Sequence, residues 1–533
     1  MKKYRLVLYA LASGVLLTPG WFVWGTGLFL LFALVPLLFI EDYLFENRLE
    51  HRPHKVILYS AVSFFTWNIL TTWWIFNSTA VGMALAVVIN TMLMSIVFWL
   101  FHITRRNAGS GPGYFGLIVY WLVYEHFYLN GEISWPWLNL GNGFMNDIHI
   151  IQWYEITGTF GGTLWVLLSN ILLFLLIKHY IIHRSLKGKI ATLAVWLLLI
   201  IIPISYSLIR FYTYKETINP REIVVVQPNI DPYNEKFGGM EAELQMEKML
   251  NLASLAASEE TDYFAAPETF INDNIWEEEM RDNPSIKTMY KFLEQYPGAQ
   301  FIVGLTYYKS YPGPMTSTAR LIPGTDIYYD SFNAAIQLDS TDNIQDYIKS
   351  KLVVGVEKMP YTKYLGFLKN LTLRLGGTFR SHAIQDFRES LFAPDDSVGV
   401  ATVICYESVY GEFVTEYIKA GANYIFVITN DGWWGDTPGH RQHLGFSRLR
   451  AIETRRSVAR SANTGISAFI NQKGEILLRT KYWTPDAIRA ELNANDTYTF
   501  YVKHGDFVAK AAYFFSLIVL LYMIVRMLMK KRG

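Results

Sequence analysis

Long apolar runs fill the chain up to about residue 212, and one more covers 508–529. Between them, over about 221–503, apolar and polar residues interleave as in a globular protein. A membrane helix needs roughly 20 mostly apolar residues. Runs at about 5–20, 22–40, 56–76, 80–103, 114–129, 163–182, 190–210 and 508–529 approach that length, so the pattern predicts about eight spans. The first two are nearly continuous, parted at Thr18-Pro19-Gly20. No small-x-small cleavage site separates them, so the first run reads as a span rather than a signal peptide. The predicted organisation is multi-domain: an α-helical transmembrane bundle over 1–215, an α/β domain over 220–500, and a last helix with a basic tail over 506–533.

In the middle region, short β-branched or aromatic runs alternate with helical stretches. Strand-like runs are 221–227, 262–268, 299–308, 332–339, 397–407, 424–430, 457–470 and 474–480; helical stretches include 239–258, 284–296, 410–420 and 440–455. Such alternation predicts an α/β sheet protein with helices covering the sheet. Glu268, Cys405 and Asn430-Asp431 each close an apolar run, at the strand ends where such folds place chemistry. Residues 359–390 differ. They begin "MPYTKYLGFLKNLTLRLGGTFRSH", apolar and basic without acids, and read as an amphipathic lid on a membrane surface.

Charge orients the spans. Lys2, Lys3 and Arg5, then Arg48, Arg52 and Lys55, then Arg105 and Arg106, then Lys178, Arg184, Lys187 and Lys189, and finally Lys530, Lys531 and Arg532 fall in alternate loops. Residues 128–162 hold no Lys or Arg. All clusters share one side if both termini are cytoplasmic, which puts 221–503 on the outer, periplasmic face of a bacterial inner membrane. Trp135 and Trp137 lie in an outer loop, where they suit an interfacial aromatic belt or a lip admitting lipid. A net charge of +1 gives no reason to expect a nucleic-acid partner. The mid-span regions are almost free of charge, which counts against a transporter or receptor.

The chain has one cysteine, which excludes an intrachain disulfide framework. Cys405 stands in "VICYESVYGE", bracketed by Glu407 and Glu412, and nearby acids make a thiol sluggish. A cysteine nucleophile needs a base or a cation, and acyl transfer needs oxyanion donors. Glu268 in "APETF" is a possible base if its pocket is apolar, and Lys349 in "YIKSKLVVGVEKMP", with Glu357 eight residues on, is a possible cation. A lysine beside the thiol would lower its pKa. On residue types alone, Cys405 as core filler, Glu268 as a solvent-facing strand end and Lys349 as a solvated strand edge stay as open as the catalytic readings.

"PE" at 267–268, Lys349 followed by Glu357, and "CYE" at 405–407 together resemble the Glu–Lys–Cys pattern of the nitrilase superfamily. Seven spans, such a domain and a final span resemble its membrane-embedded branch, the apolipoprotein N-acyltransferases. So do "VQPNID" (226–231), "WPWLNLGNGF" (135–144), "GTFGGTLWVLLSN" (158–170) and the block 428–470 beginning "ITNDGWWGD". The resemblance implies a nitrilase-like αββα sandwich outside the membrane. It implies Cys405 as nucleophile, Glu268 as general base and Lys349 as oxyanion holder, with Glu357 and Glu407 as orienting carboxylates. Tyr406 and Phe237 would shape an acyl pocket, and Asn430 and Asp431 would support or line the site. "VVGVE" (353–357), "APE" and Phe237 replace the more usual Pro-Phe-Gly-Glu, Trp-Pro-Glu and tryptophan. The implied activity moves an acyl chain from a membrane phospholipid, through a Cys405 thioester, to the α-amino group of a diacylglyceryl apolipoprotein. No cofactor or metal is implied, and a monomer is expected. The alternative is a membrane-anchored nitrilase-type amidase hydrolysing a small amide.

Overall fold

The computed structural model describes residues 3–236, 239–341, 343–358, 381–393 and 397–532. Phe237 and most of the proposed lid, 359–380, lie outside the described residues. The chain divides into two units: 1–76, 80–213 and 504–533 form one, and 77–79 with 214–503 the other.

The first unit is helical. Six of its helices are long and apolar enough to cross a membrane: Gly27–Glu46, Lys55–Asn77, Ala80–Ala108, Tyr154–His183, Ile190–Thr213 and Phe507–Lys530. The runs at 5–20 and 114–129 became Lys3–Leu17 and Ser110–Asn130, which are not among the six. At 1.5 Å per residue, the 15 residues of Lys3–Leu17 fall short of a hydrocarbon layer of about 30 Å.

Charge inside this unit is paired rather than absent. Buried Glu41 bonds His102 Nδ1 at 2.7 Å and meets Arg105, while Asp42 accepts from Arg105 and Lys178, each at 2.7 Å. Glu125 accepts from Trp121 Nε1 (3.0 Å), the Leu140 amide (2.8 Å) and Thr163 Oγ1 (2.7 Å). Trp137 is buried, stacked on Trp135 with ring centres 5.1 Å apart and packed against Trp74.

The second unit is built on two sheets. One runs in the order Asp486–Asn493, Pro220–Gln227, Thr261–Ala265, Gln300–Tyr311, Tyr328–Leu338, Arg320–Leu321. Ile271–Trp276 also pairs with Gln300–Tyr311, and Ile344–Ile348 with Tyr328–Leu338. The other runs Ile476–Arg479, Ala468–Ile470, Ser457–Ala462, Ala422–Thr429, Gly399–Ile404, Leu391–Phe392.

Strand residues alternate between two buried faces, which is why these segments are nearly all apolar. Ile223, Val225 and Tyr263 from one sheet meet Val400, Tyr424 and Phe426 from the other. Their neighbours Val224, Val226 and Phe264 face Met246, Met249, Ile286 and Met289, on helices Ala242–Ala256 and Pro284–Leu293. Val403, Ile425 and Val427 face Val414, Ile418 and Leu444, on helices Gly411–Lys419 and Pro438–Thr454. The result is the expected αββα sandwich.

Two expected strands changed. The run 397–407 ends as a strand at Ile404, because the backbone turns at Cys405. The run 457–470 splits into Ser457–Ala462 and Ala468–Ile470, which pair antiparallel. Pro220–Gln227 is parallel to Thr261–Ala265, and Gly399–Ile404, Ala422–Thr429 and Ser457–Ala462 are parallel to one another. The loops at their carboxyl ends carry Lys236, Glu268, Cys405 and Asp431, where open parallel sheets place their ligand sites.

Candidate active site

Glu268 leaves the strand Thr261–Ala265 through Pro267, and Thr269 after it is left-handed, with φ +46°. The neighbouring strand comes very close here. The Gly304 amide donates to the Pro267 carbonyl at 3.0 Å, and a Cβ on Gly304 would lie 2.5 Å from the Thr269 nitrogen and 2.6 Å from Glu268 Cα. Only glycine leaves room for the acid at that place.

Lys349 follows the strand Ile344–Ile348, its amide bonded to the Asn333 carbonyl at 2.9 Å. Its side chain is 1% exposed, far from a solvated strand edge. Nζ donates to Glu268 Oε1 (2.7 Å) and Glu357 Oε1 (2.8 Å). Asn333 Nδ2 donates to the same two oxygens, each at 2.9 Å. Two carboxylates are thus bridged twice, once by a cation and once by an amide. Glu357 is fixed further by the Val353 amide, 2.7 Å from Oε2.

Cys405 follows the strand Gly399–Ile404 and opens the 3-10 turn Cys405–Val409 with φ +51°. A non-glycine residue there costs on the order of 1 kcal/mol or more and persists only where its surroundings hold it. Cys405 as a residue is partly exposed, whereas Glu268 and Lys349 are buried.

The electrostatics give each group a state. Burial opposes the Lys349 ammonium, but Glu268 and Glu357 outweigh it and hold it well above the ordinary lysine range. Burial also opposes the Glu357 carboxylate, and Lys349 outweighs it and holds that acid below its ordinary value. The thiol goes the other way. Burial pushes Cys405 well up, Glu268 adds to this, and Lys349 only partly offsets them. Asp431 raises it as well. At rest the site therefore holds a neutral thiol and a charged lysine.

A buried carboxylate–lysine–cysteine cluster at the carboxyl ends of parallel strands in an αββα sandwich is a distinctive arrangement. Residues 223–501, more than half of the chain, match the family model for carbon-nitrogen hydrolases. The chain belongs to the carbon-nitrogen hydrolase family. Residues 13–172 match the apolipoprotein N-acyltransferase N-terminal domain. The apolipoprotein N-acyltransferase of Chlorobaculum tepidum is 28% identical over 483 residues, 89% of this chain and 88% of its own. That of Geobacter metallireducens is 26% identical over 382 residues, 71% and 68% of the two chains. That of Thermotoga maritima is 24% identical over 526 residues, 95% and 90%.

In this carbon-nitrogen hydrolase, the remaining residues singled out in the sequence take several places. Glu407 is fully buried and ties the chain beside Lys349 to the chain beside Cys405. Its Oε1 accepts from the Ser350 amide (2.7 Å) and Tyr347 hydroxyl (3.0 Å), and its Oε2 from the Ile404 amide (2.9 Å) and Tyr417 hydroxyl (3.1 Å). It therefore orients the lysine through the backbone, whereas Glu357 touches the ammonium. Tyr406 is buried edge-on to Tyr410. Asn430 accepts from Asn463 Nδ2 at 3.4 Å. Asp431 is fully buried, its carboxylate occupied by Arg460, His443 and Thr429, so its place is beneath the site rather than on a ligand-facing wall. Trp135 and Trp137 belong to the helical unit.

Three site residues were not anticipated. Asn333 lies in a strand that reads as core. His443 and Arg460 lie in segments that read as an ordinary helix and strand. A fourth, Lys236, is buried with Nζ donating to the Glu268 carbonyl (3.2 Å) and Thr269 Oγ1 (2.9 Å). Burial pushes its ammonium down to about 8, against the pull of Glu268. A sequence signal existed only for Lys236, a lysine just past "VQPNID" on a strand-end loop.

The raised thiol has a measurable consequence. Only the thiolate is alkylated, and its fraction rises tenfold per pH unit below the pKa. Iodoacetamide should label Cys405 more slowly at pH 7 than an ordinary cysteine, with a rate still climbing above pH 9. Fast labelling at pH 6–7, as for a preformed thiolate, would contradict the assigned charge state.

Proposed function

We propose that the protein N-acylates lipoproteins through a Cys405 acyl-enzyme. The observation that carries this is the bridged Glu268–Lys349–Glu357 cluster acting on Cys405, in a domain flanked in sequence by membrane-length helices. The match of residues 13–172 to an apolipoprotein N-acyltransferase domain favours this reading over a small-amide hydrolase.

In the first half-reaction, Cys405 Sγ attacks a phospholipid acyl ester as its proton passes to Glu268. Both bridging hydrogen bonds fall on Glu268 Oε1, leaving Oε2 for that proton. The tetrahedral oxyanion is held by Lys349 and a backbone N–H after Cys405. Collapse breaks the ester C–O bond, and Glu268 returns the proton to the departing lysophospholipid hydroxyl. In the second half, the α-amino group of a diacylglyceryl cysteine attacks the thioester. Glu268 takes a proton from the amine and passes it to the leaving sulfur, giving an amide and free thiol. Lys349, held charged throughout, does not compete as an amine nucleophile. In this reading the enzyme sits in the bacterial inner membrane with both termini cytoplasmic and the catalytic domain periplasmic, acting as a monomer.

The test uses the full-length protein in liposomes with acyl-labelled phospholipid. A hydroxylamine-sensitive label should appear on the protein and, on adding a synthetic diacylated lipopeptide, move into an amide on that peptide. Absence of the protein-bound label would refute the covalent route. Release of label to water in preference to the peptide, together with turnover of a small amide, would favour the hydrolase.

A further inference from the structure

Beneath the Cys405 turn lies a buried polar chain that the acyl-transfer scheme does not use. The Cys405 carbonyl oxygen accepts from Ser408 Oγ at 2.8 Å, and His443 Nε2 lies 3.1 Å from the same oxygen and 3.0 Å from Ser408 Oγ. A carbonyl oxygen can only accept, so the contact is bonding when Nε2 carries the proton. The other ring nitrogen, Nδ1, lies 2.8 Å from Asp431 Oδ1. Asp431 Oδ2 in turn accepts from Arg460 Nη2 at 2.6 Å, and the same Nη2 is 3.0 Å from His443 Nδ1. His443, Asp431 and Arg460 are all at most 1% exposed.

Each anchor of this chain belongs to a rigid element. Arg460 is in the strand Ser457–Ala462, paired with Val427 of the parallel neighbour Ala422–Thr429. Asp431 is in the turn after that neighbour, and His443 is on the helix Pro438–Thr454. The chain therefore runs from two core strands to the main-chain oxygen of a residue held left-handed. Without a grip on that oxygen the peptide could rotate toward an ordinary conformation, swinging the sulfur away from Glu268 and Lys349.

We propose that His443 is a positioning residue for the nucleophile, holding the Cys405 carbonyl so that the strained turn presents its sulfur to Glu268 and Lys349. It acts through the main chain, since its ring bonds the Cys405 carbonyl and Ser408 rather than serving as the base. The proposal rests on the acyl-enzyme reading, but its test carries a readout that does not.

Two amides separate the two ring nitrogens. His443→Gln puts an N–H near the Nε2 place and keeps the grip on Cys405. His443→Asn keeps a polar partner for Asp431 but is too short to reach the carbonyl. Asp431 keeps Arg460 and Thr429 as partners in both variants, so both should fold, as thermal unfolding of the full-length protein checks. Thioester formation in single turnover should fall about 10- to 100-fold for Asn and stay within about threefold of wild type for Gln. The phospholipid concentration giving half-maximal rate should be unchanged in both. Iodoacetamide labelling of Cys405, which needs no lipid chemistry, should also differ between Asn and wild type but not between Gln and wild type. A folded Asn variant matching wild type in both assays would overturn the proposal. So would a Gln variant as impaired as Asn. A wild type that forms no thioester, with labelling still differing as stated, would sink the acyl-enzyme reading and leave His443's role standing.

Discussion

Lys349→Met is expected to stop acyl transfer and weaken the catalytic domain together. In the proposed mechanism the lysine supplies one oxyanion donor, and losing such a donor typically costs about 10²- to 10³-fold in rate. It also leaves Glu268 and Glu357 facing each other, bridged only by Asn333 Nδ2. Breaking a buried ion pair from one side costs about 3–5 kcal/mol.

The pH dependence separates the two proteins. In the wild type Glu357 has a folded pKa below its unfolded value. Its contribution is present above the ordinary carboxylate range and is lost as pH falls through the folded pKa. In the variant one of the two acids must take up a proton, so its folded pKa lies above the unfolded value. That contribution is present at low pH and lost as pH rises. Melting temperatures at pH 5 and pH 8 should therefore show a larger deficit at pH 8. Adding Glu357→Gln to the variant should restore stability without restoring transfer. A variant as stable as wild type at pH 8 would mean that the cluster is not the charged bridge described here.

Cys405→Ala should have the largest effect on activity and a small one on folding. Removing a catalytic nucleophile costs up to about 10⁶-fold, and here no other described side chain can carry a thioester, since the chain has one cysteine. The thiol is neutral at rest, so its removal takes no charged partner from Glu268 or Lys349. Cys405→Gly should go further and stabilise the domain by roughly 1 kcal/mol, because glycine adopts φ +51° without a Cβ clash. Residual transfer in either variant above the uncatalysed rate would point to a direct, non-covalent route.

What the sequence made legible follows from what local pattern can encode. Apolar runs in the helical unit mark helices of membrane-spanning length, and β-branched runs in the domain mark strands buried on both faces, so both were readable. Ile344–Ile348 and Asp486–Asn493 were missed because they are short, polar strands held by ladder hydrogen bonds and half exposed, which leaves no apolar signature. Glu268, Lys349 and Cys405 were readable through their resemblance to a known motif, but their charge states were not. Lys349 was expected to lower the thiol pKa, and whether it prevails depends on burial and on Glu268, quantities set by tertiary contacts. Asn333 and His443 had no signal for the same reason. Each acts on a residue 65 or 38 positions away in the chain. The paired acids within the helical unit escaped notice because a hydropathy window counts charges one by one and cannot see Glu41 find Arg105.

One ladder in the first sheet bears on how the protein is made. Pro220 pairs with Asn493 and Gln227 with Asp486, so the domain's first and last strands lie antiparallel, side by side. The chain therefore enters and leaves the domain at neighbouring points, about one strand spacing of 5 Å apart. The helices before and after, Ile190–Thr213 and Phe507–Arg532, belong to a single helical unit. With both helices held in one unit, the unfolded domain is a loop tied at its two ends. Closing a loop of this length in a free chain costs on the order of 5 kcal/mol of conformational entropy. A tied loop carries part of that cost before folding, so a protease cut between 504 and 506 should destabilise the domain without touching a residue of its core.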